Sequence, residues 1–390
     1  MRRRGAAGVP CLWLLALLAG AAGQQLPRAV SPAPGGGGGS GGNTSSAAAA
    51  AGAACAAAPG GGPWGLAAIG EPTSGLPASA PRVLVCLISS GVAARSPYLV
   101  HNAWSGCAAE DPLDPGGCAL PWGSPADGAG NWKPRGTYAA SIIAARPGLD
   151  PRVGGVIPGG ASLHVVPVNP DSGSIEPGAS APGGRSRLRA YSVCEGRLRG
   201  LQAQDYGAPG GAPRWRMVVL ADLTSAGPAE PIGSGAMRVG EAEWLAAATG
   251  VTAEGRAPDV LLVAPAGEGA AVAFPAAFPQ ALAVGALTCA GGPARSYSGG
   301  AKLGPDLLAP GQGVLVPDVR KEGTAGLRVW EGSAAAAAFA AGGAARLWAA
   351  FPGCSVDAVR RALLSSRPAG GGAARLNLGA ARAYLAASKC

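Results

Sequence analysis

Short apolar runs recur along the chain from residue 81 onwards, and their lengths predict secondary structure. Each run is four to six residues long and almost entirely apolar. Such runs are typical of parallel strands that are buried on both faces of a sheet. The pattern therefore predicts five buried strands. These are Val83–Ile88, Leu163–Val168, Met217–Leu220, Val260–Val263 and Leu282–Leu287.

Longer stretches with helical character lie between or after these runs. Helices are predicted over Tyr138–Ala145, Glu241–Thr249 and Ala334–Phe351. A last amphipathic helix is predicted over Ser355–Ser365, with Ser355 as its N-cap and an aspartate in its first turn. The alternation of strand and helix predicts an α/β domain with a mainly parallel sheet.

The functional site of such a domain is expected at one edge of its sheet. Open parallel sheets bind their ligands at the carboxyl ends of the strands. We therefore expect functional residues in Ser89–Gly91, in Ala264–Gly269 and at the start of the helix at Ala334.

The composition excludes several classes of protein. The 390 residues include 66 Gly and 36 Pro, whereas only 14% are charged and 5% aromatic, which excludes a coiled coil and a charge-driven disordered chain. The Ala/Gly/Ser/Pro tract over residues 24–80 has no usable periodicity, and we predict a flexible linker there. With two histidines in the chain, a His-based metal cluster is excluded.

The N-terminus has the features of a secretory signal peptide. Three arginines precede the apolar run Val9–Ala19, and small residues follow it up to Gly23. The run is too short to span a bilayer, and an accidental Ala/Leu-rich N-terminus is the alternative. We predict that residues 1–23 are removed and that the protein is secreted. The net charge of +9 then falls to +6, which is too diffuse to predict nucleic-acid binding.

No later apolar stretch reaches the length of a membrane span. The best of them, Ala334–Ala345, stops at Arg346 and is better explained as a buried helix.

The cysteines also favour an oxidising compartment. Removal of Cys11 leaves eight of the nine cysteines, an even number that suits disulfide bonding. Eight cysteines admit 105 pairings. We predict only Cys107 with Cys118, which are close in sequence. Asn43 begins an Asn-Thr-Ser sequon, a frequent chance match that nonetheless predicts N-glycosylation.

A series of motifs from residue 81 to the end resembles the subtilisin-like serine proteases (subtilases), in the order that the family has them. The resemblance implies a three-layer α/β fold over residues 81–390, with a mainly parallel sheet flanked by helices. The motifs are Val85–Gly91, Arg135–Ala144, Gly155–Val168, Ala266–Gly269, Phe274–Pro279, Ala283–Ala286, Ser296–Ser298, Asp306–Gly311, Gly332–Ala336 and Arg375–Asn377.

By this resemblance, every catalytic side chain of the family is replaced. Ser89 stands for the aspartate, and a hydroxyl cannot compensate an imidazolium charge. Arg135 stands for the histidine, and a guanidinium stays protonated and cannot be a base. Ala334 stands for the nucleophilic serine. Glu268 stands for the oxyanion-hole asparagine, and its carboxylate would repel an oxyanion.

Other side chains near these positions are candidate substitutes. Ser333 neighbours the lost nucleophile, but it is better explained as an N-cap, because one residue is about 100° of helix rotation. His164 lies in an apolar strand and is predicted to be a core residue, whereas His101 follows the first strand in a loop. Cys86 is mid-strand, and Ser90 remains a further candidate nucleophile.

The two charged replacements suggest an interaction of their own. Arg135 and Glu268 occupy positions that face one cleft in the family, so we predict an ion pair between them. Two separate, solvated charges are the alternative.

Three functions follow from these observations. The first is a secreted, catalytically inactive subtilase homologue (a pseudoprotease) that binds a protein or peptide, an active protease or extracellular matrix. The second is an active endopeptidase with an unconventional site. The third is a structural matrix module tethered by residues 24–80. No cofactor is implied; calcium sites are common in the family, but the sequence does not identify ligands. Residues 24–80 show no pattern of a folding pro-domain.

Overall fold

The structure is a computed structural model in which all described residues belong to one compact unit, residues 44–390. The predicted signal peptide, Asn43, Ser90, Cys107 and Cys118 lie outside the described residues, and for 183–189 only the backbone is described. The described residues are 55, 63–70, 82–89, 92, 96–106, 135–158, 161–167, 183–205, 214–222, 243–248, 260–295, 304–318, 326–368, 372–388 and 390.

The structure has ten described strands. They are β1 (Val83–Ser89), β2 (Ala103–Gly106), β3 (Ser162–Pro167), β4 (Arg216–Ala221), β5 (Val260–Pro265), β6 (Leu282–Leu287), β7 (Leu307–Pro310), β8 (Val314–Pro317), β9 (Leu327–Trp330) and β10 (Ala374–Arg375). Eight parallel strands form the central sheet, in the order β10-β7-β6-β5-β4-β1-β3-β2, while β8 and β9 form a separate antiparallel pair. The five predicted strands are confirmed as β1, β3, β4, β5 and β6.

Helices cover both faces of the sheet, so the predicted three-layer α/β fold is confirmed. Alternate residues of β1 point to opposite cores: Val85 and Leu87 to one, Cys86 and Ile88 to the other. This is why the strand is apolar along its length. The helices are α1 (Trp64–Ala68), α2 (Arg135–Ala144), α3 (Gly183–Gln204), α4 (Ser333–Ala350), α5 (Val356–Leu363) and α6 (Leu378–Ser388), and residues 243–248 are also helical.

The alanine-rich helix α4 is the central helix of one face. It packs on α2 and on strands β4 to β7, and its small side chains allow this close approach. An added Cβ at Gly342 would lie 2.9 Å from Val156, so the backbone itself is in contact there. The prediction of a buried rather than membrane-spanning helix agrees with this packing; among the described helices, none is long and apolar enough to cross a bilayer.

The predicted cap of α5 is also observed. The hydroxyl of Ser355 accepts a hydrogen bond from the backbone N–H of Ala358 at 3.2 Å, and Asp357 lies in the first turn. The serine therefore satisfies one of the free N–H groups at the start of this helix.

Helix α3 was not predicted from the sequence. Its buried positions Ala190, Tyr191, Cys194, Leu198 and Leu201 follow helical spacing, but glycines and arginines separate them. The helix is fixed to the sheet by a disulfide between Cys194 and Cys86 of β1.

Part of the predicted linker belongs to the folded domain. Residues 63–70 form α1 and its following turn, with Leu66 and Ile69 buried in the core of the α4 face. The carbonyl of Ile69 accepts a hydrogen bond from Leu378 N at 2.8 Å. The tract has few large apolar residues, but Trp64, Leu66 and Ile69 lie together in this segment. The segment is therefore buried although the surrounding sequence is low in complexity.

Three disulfides join described cysteines: Cys55–Cys289, Cys86–Cys194 and Cys354–Cys390. Cys55 lies in the predicted linker, so a second attachment holds that tract to the domain. The remaining cysteines after residue 23 are Cys107 and Cys118, whose pairing stays a prediction.

We expect Ile69→Ala to lower the free energy of unfolding by about 2–5 kcal/mol, because Ile69 is fully buried. Urea unfolding measures the change. Leu149→Ala is the control, since Leu149 is 53% exposed and its truncation leaves no buried cavity. Equally small effects of the two variants would show that burial of Ile69 does not stabilise the domain.

Because His164 is buried, we expect the free energy of unfolding to decrease in acid. Its Nδ1 lies 3.0 Å from Ser105 Oγ, and burial, helped by the charge of Arg197, lowers its pKa to about 4. Between the unfolded pKa of 6.5 and about 4, the unfolded chain binds the proton and the folded chain does not. This contribution to stability is therefore complete above pH 6.5 and decreases by up to about 3 kcal/mol as the pH falls to 4. In His164→Gln, urea unfolding across this range should show a shallower dependence; parallel wild-type and variant curves would contradict the role of His164.

Candidate functional site

The candidate site lies at the carboxyl edge of the sheet, where the sequence predicted it. Ser89 ends β1 and Glu268 follows β5. Arg135 is the first residue of α2, while Ser333 and Ala334 begin α4. The structure adds one residue to this set, an aspartate after β4.

That aspartate, Asp222, is buried and accepts hydrogen bonds from the side chains at two of the predicted positions. Ser89 Oγ donates a hydrogen bond to Asp222 Oδ2 at 2.7 Å, and Arg135 Nη2 donates to Oδ1 at 2.9 Å. The aspartate side chain is 0% exposed and that of Arg135 32%. The carboxylate of Asp222 is the main cause that raises the pKa of Arg135, and Glu268 adds a smaller effect.

Strand register places Ser89 and Asp222 side by side. β1 and β4 are parallel neighbours with Ile88 opposite Ala221, so the next residue of each strand lies at the same level. Asp222 N also donates to the carbonyl of Ile88 at 3.0 Å. Sequence analysis missed Asp222, although a charged residue directly after a buried strand of a parallel sheet was a usable signal.

The predicted ion pair between Arg135 and Glu268 is not what the structure shows. Arg135 forms its ion pair with Asp222, which faces it across the ends of β4 and α2. Glu268 instead lies 3.6 Å from Arg295, measured from Oε2 to Nε. The family motifs gave no reason to pair Arg135 with Asp222. Asp222 follows β4 and lies outside all of those motifs.

The carboxylate of Glu268 binds the N-terminus of α4. Ser333 N donates to Glu268 Oε1 at 2.5 Å, so the negative charge lies where the helix dipole is positive. Gly332 makes this approach feasible: its φ is 112°, and an added Cβ would lie 2.7 Å from Oε1.

Ser333 does not cap α4 as predicted. Gly332 is the N-cap, and the hydroxyl of Ser333 accepts a hydrogen bond from Gly267 N at 3.1 Å. The reason is that α4 already begins at Ser333, so this serine lies inside the helix and its hydroxyl joins the loop after β5 to α4. Ala334 beside it is 7% exposed and offers only a methyl group.

The other candidate substitutes lie elsewhere or are already bonded. Cys86 is in a disulfide with Cys194. His164 is fully buried within β3, as predicted for a core histidine. His101 precedes β2 and therefore lies at the amino edge of the parallel sheet, opposite the candidate site.

The site contains two anions and two cations, each in contact with a group of opposite charge. Asp222 accepts from Arg135 and Ser89, while Glu268 accepts from a helix N-terminus and contacts Arg295. Among the described residues there is no cluster of three or more metal-binding side chains. The contacts observed at the site are ion pairs and hydrogen bonds.

Solved structures with the same fold are numerous, and three illustrate the likeness. A structure of the subtilase cytotoxin SubAB assembly is 21% identical with a TM-score of 0.55, covering 84% of this chain and 97% of that one. The self-cleaved protease domain of PatA is 21% identical with a TM-score of 0.53, covering 79% of this chain and 98% of that one.

The third, fervidolysin from Fervidobacterium pennivorans, is described as a keratinolytic enzyme related to subtilisin. It is 21% identical with a TM-score of 0.54, covering 82% of this chain and 45% of that one. At these identities the likeness shows the fold alone.

Sequence comparison gives the family. Among curated proteins, none matches the chain. The model of the Subtilase family, however, matches residues 81–380, which is most of the chain and includes Ser89, Arg135, Asp222, Glu268 and Ala334. The protein therefore belongs to the subtilase family.

Proposed function

We propose that this protein is a catalytically inactive subtilase that acts by binding. The observation that carries the proposal is the buried ion pair between Asp222 and Arg135. Arg135 stands where the family has its catalytic histidine. A guanidinium held by a buried carboxylate keeps its proton, so it cannot take one from a nucleophile.

The nucleophile and the oxyanion site support the same conclusion. Ala334 stands at the position of the serine and has no atom that can attack a carbonyl. Glu268 stands at the position of the oxyanion-hole asparagine, and its carboxylate occupies the start of α4, where a negatively charged intermediate would need donors. The carboxylate of Glu268 thus takes the place of the oxyanion that the reaction would form.

A binding role in the extracellular space is consistent with the rest of the molecule. The three disulfides between described cysteines are compatible with an extracellular protein. We propose secretion through the signal peptide of residues 1–23. The proposed partner is a protein or peptide, including an active protease or a matrix component.

Activity measurements test the proposal directly. The purified wild-type protein should neither react with a fluorophosphonate serine probe nor cleave a broad peptide library. A rate above that of a heat-inactivated sample, lost on substitution of Ser333 or Ser89 by Ala, would contradict it and identify the nucleophile.

Restoration of the family residues tests the role of Asp222. Ser89→Asp would put a second carboxylate against Asp222, whose Oδ2 is now 2.7 Å from Ser89 Oγ. Like charges at this separation oppose each other. We therefore expect Ser89→Asp, Arg135→His, Glu268→Asn and Ala334→Ser together to label at least ~10-fold more slowly than the same set with Asp222→Asn added. Equal labelling of the two restored variants would show that Asp222 does not constrain the site.

Loss of the ion pair between Arg135 and Asp222 should also lower the free energy of unfolding. Arg135→Met leaves the buried Asp222 carboxylate with Ser89 only, and we expect a loss of about 3 kcal/mol, because Arg135 is one-third exposed and the effect stays near the low end for a broken buried pair. Adding Asp222→Asn should recover part of the loss. Arg152→Met, which breaks an exposed pair with Asp150 at 2.8 Å, is the matched control and should cost less than about 1 kcal/mol in urea unfolding. Equal losses in the two single variants would show that the pair of Arg135 and Asp222 stabilises the fold no more than an exposed ion pair does.

A further inference from the structure

The strand β9 has a paired neighbour on one side only. It forms an antiparallel pair with β8, separate from the central sheet, in which Arg328 lies opposite Val316 and Val329 lies opposite Leu315. Among the described strands, none pairs with the other side of β9. β9 is therefore an edge strand, and such a strand presents unpaired N–H and C=O groups.

The hydrogen bonds of this pair show which backbone groups of β9 are free. In an antiparallel pair, opposite residues alternate between those that exchange two hydrogen bonds and those that exchange none. Asp318 N donates to the carbonyl of Gly326 at 2.7 Å, so these two opposite residues belong to the bonded kind. Arg328, two residues further along, is then also bonded to β8. Leu327 and Val329 direct their N–H and C=O groups away from β8, where no described residue bonds to them.

Solvent reaches this edge of β9. Val329 is 42% exposed, and Arg328 is exposed as well. Arg328 forms no ion pair with any described residue. The nearest carboxylate along the chain, that of Glu331, accepts a hydrogen bond from Gly313 N at 3.1 Å. The edge thus combines free backbone groups with a positive charge that no described carboxylate neutralises.

The pair of β8 and β9 is packed against the rest of the domain. Val314 and Val316 of β8 are buried, and the ring centroid of Trp330 lies 5.7 Å from that of Tyr138 in α2. A partner strand would therefore meet a backbone that is already extended and held in place. Such preorganisation lowers the entropy that is lost on binding.

We propose that the free edge of β9 binds an extended segment of another protein that carries an acidic side chain. The inference rests on the proposed binding function and specifies the chemistry of the partner. An added antiparallel strand exchanges backbone hydrogen bonds with Leu327 and Val329, and its alternate side chains give specificity. In that arrangement the acidic residue lies opposite Arg328, and its two neighbours lie opposite Leu327 and Val329.

Charge favours a different protein over a second copy of this chain. β9 itself reads Leu-Arg-Val-Trp and contains no acidic residue, so a second β9 would give Arg328 no carboxylate to pair with. Each copy also has a formal net charge of +9, which opposes self-association.

The edge of β9 leads directly to the candidate site. Only Glu331 and Gly332 separate the end of β9 from the start of α4, where Ala334 stands in place of a nucleophile. A segment bound along β9 therefore runs close to a site that we propose to be inactive. It would remain bound there without being cleaved.

A model peptide tests the proposal on the purified protein. The peptide is Thr-Thr-Val-Glu-Val-Thr-Thr, blocked at both ends, whose glutamate can lie opposite Arg328 while its valines bond to β9. We expect a Kd of about 1 mM or tighter by NMR titration. N-methylation of both valines removes the N–H groups that face β9 and should weaken binding at least ~tenfold. N-methylation of the glutamate and the next threonine is the matched control and should change Kd less than about twofold, because those N–H groups face away.

Variants of the protein test the same contacts from the other side. Val329→Pro removes a free N–H but no hydrogen bond to β8, and should weaken binding at least ~tenfold. Val329→Thr keeps the N–H and the branched shape, and should bind within about twofold of wild type. Arg328→Gln should weaken binding about threefold, and this effect should vanish when the glutamate of the peptide is replaced by glutamine. Circular dichroism and urea unfolding of each variant separate a loss of binding from a loss of fold.

Three results would overturn the proposal. The first is absence of binding at about 5 mM peptide. The second is equal weakening by the two methylation patterns, which would show binding through side chains alone. The third is a dimer of the wild-type protein that Val329→Pro dissociates, which would assign the edge to a second copy. Cleavage of the peptide would contradict the proposed pseudoprotease function instead, and would leave binding at β9 intact.

Discussion

The carboxylate of Asp222 is the constraint on which the candidate site depends. A buried charge is tolerated only when it is paired and hydrogen-bonded, and here Ser89 and Arg135 supply the two donors. These come from the neighbouring strand β1 and from the first residue of α2, so one group fixes three elements. Arg135 is therefore half of an ion pair that joins these elements, and its charge has a structural function.

Glu268 plays the same part at the other end of the site. An enzyme keeps donors free for a charge that appears during the reaction. Here the negative charge belongs to the carboxylate of Glu268. Ser333 N donates a hydrogen bond to it, Arg295 pairs with it, and Gly332 leaves space for it. The charges at both ends of the site are therefore paired within the protein itself, without a ligand.

The packing beneath the candidate site holds its charged residues in place. Strand β1 is buried on both faces, helix α4 is packed along its length, and the disulfide Cys86–Cys194 joins the sheet to α3. Close-packed interiors of this kind leave the side chains at the carboxyl edge of the sheet little room to rearrange.

The sequence by itself determined five of the ten described strands, the central helix α4 and the cap at Ser355, because apolar periodicity and capping are local properties. It did not determine the partner of Arg135, since Asp222 is 87 residues away and meets it only where the start of α2 lies against the end of β4. It also missed α3 and α1, whose few apolar residues gain stability only once the sheet and α4 give them a surface to bury. Long-range pairing of charges and burial of short segments were decided by the tertiary structure, because their energies depend on neighbours that the local sequence does not contain.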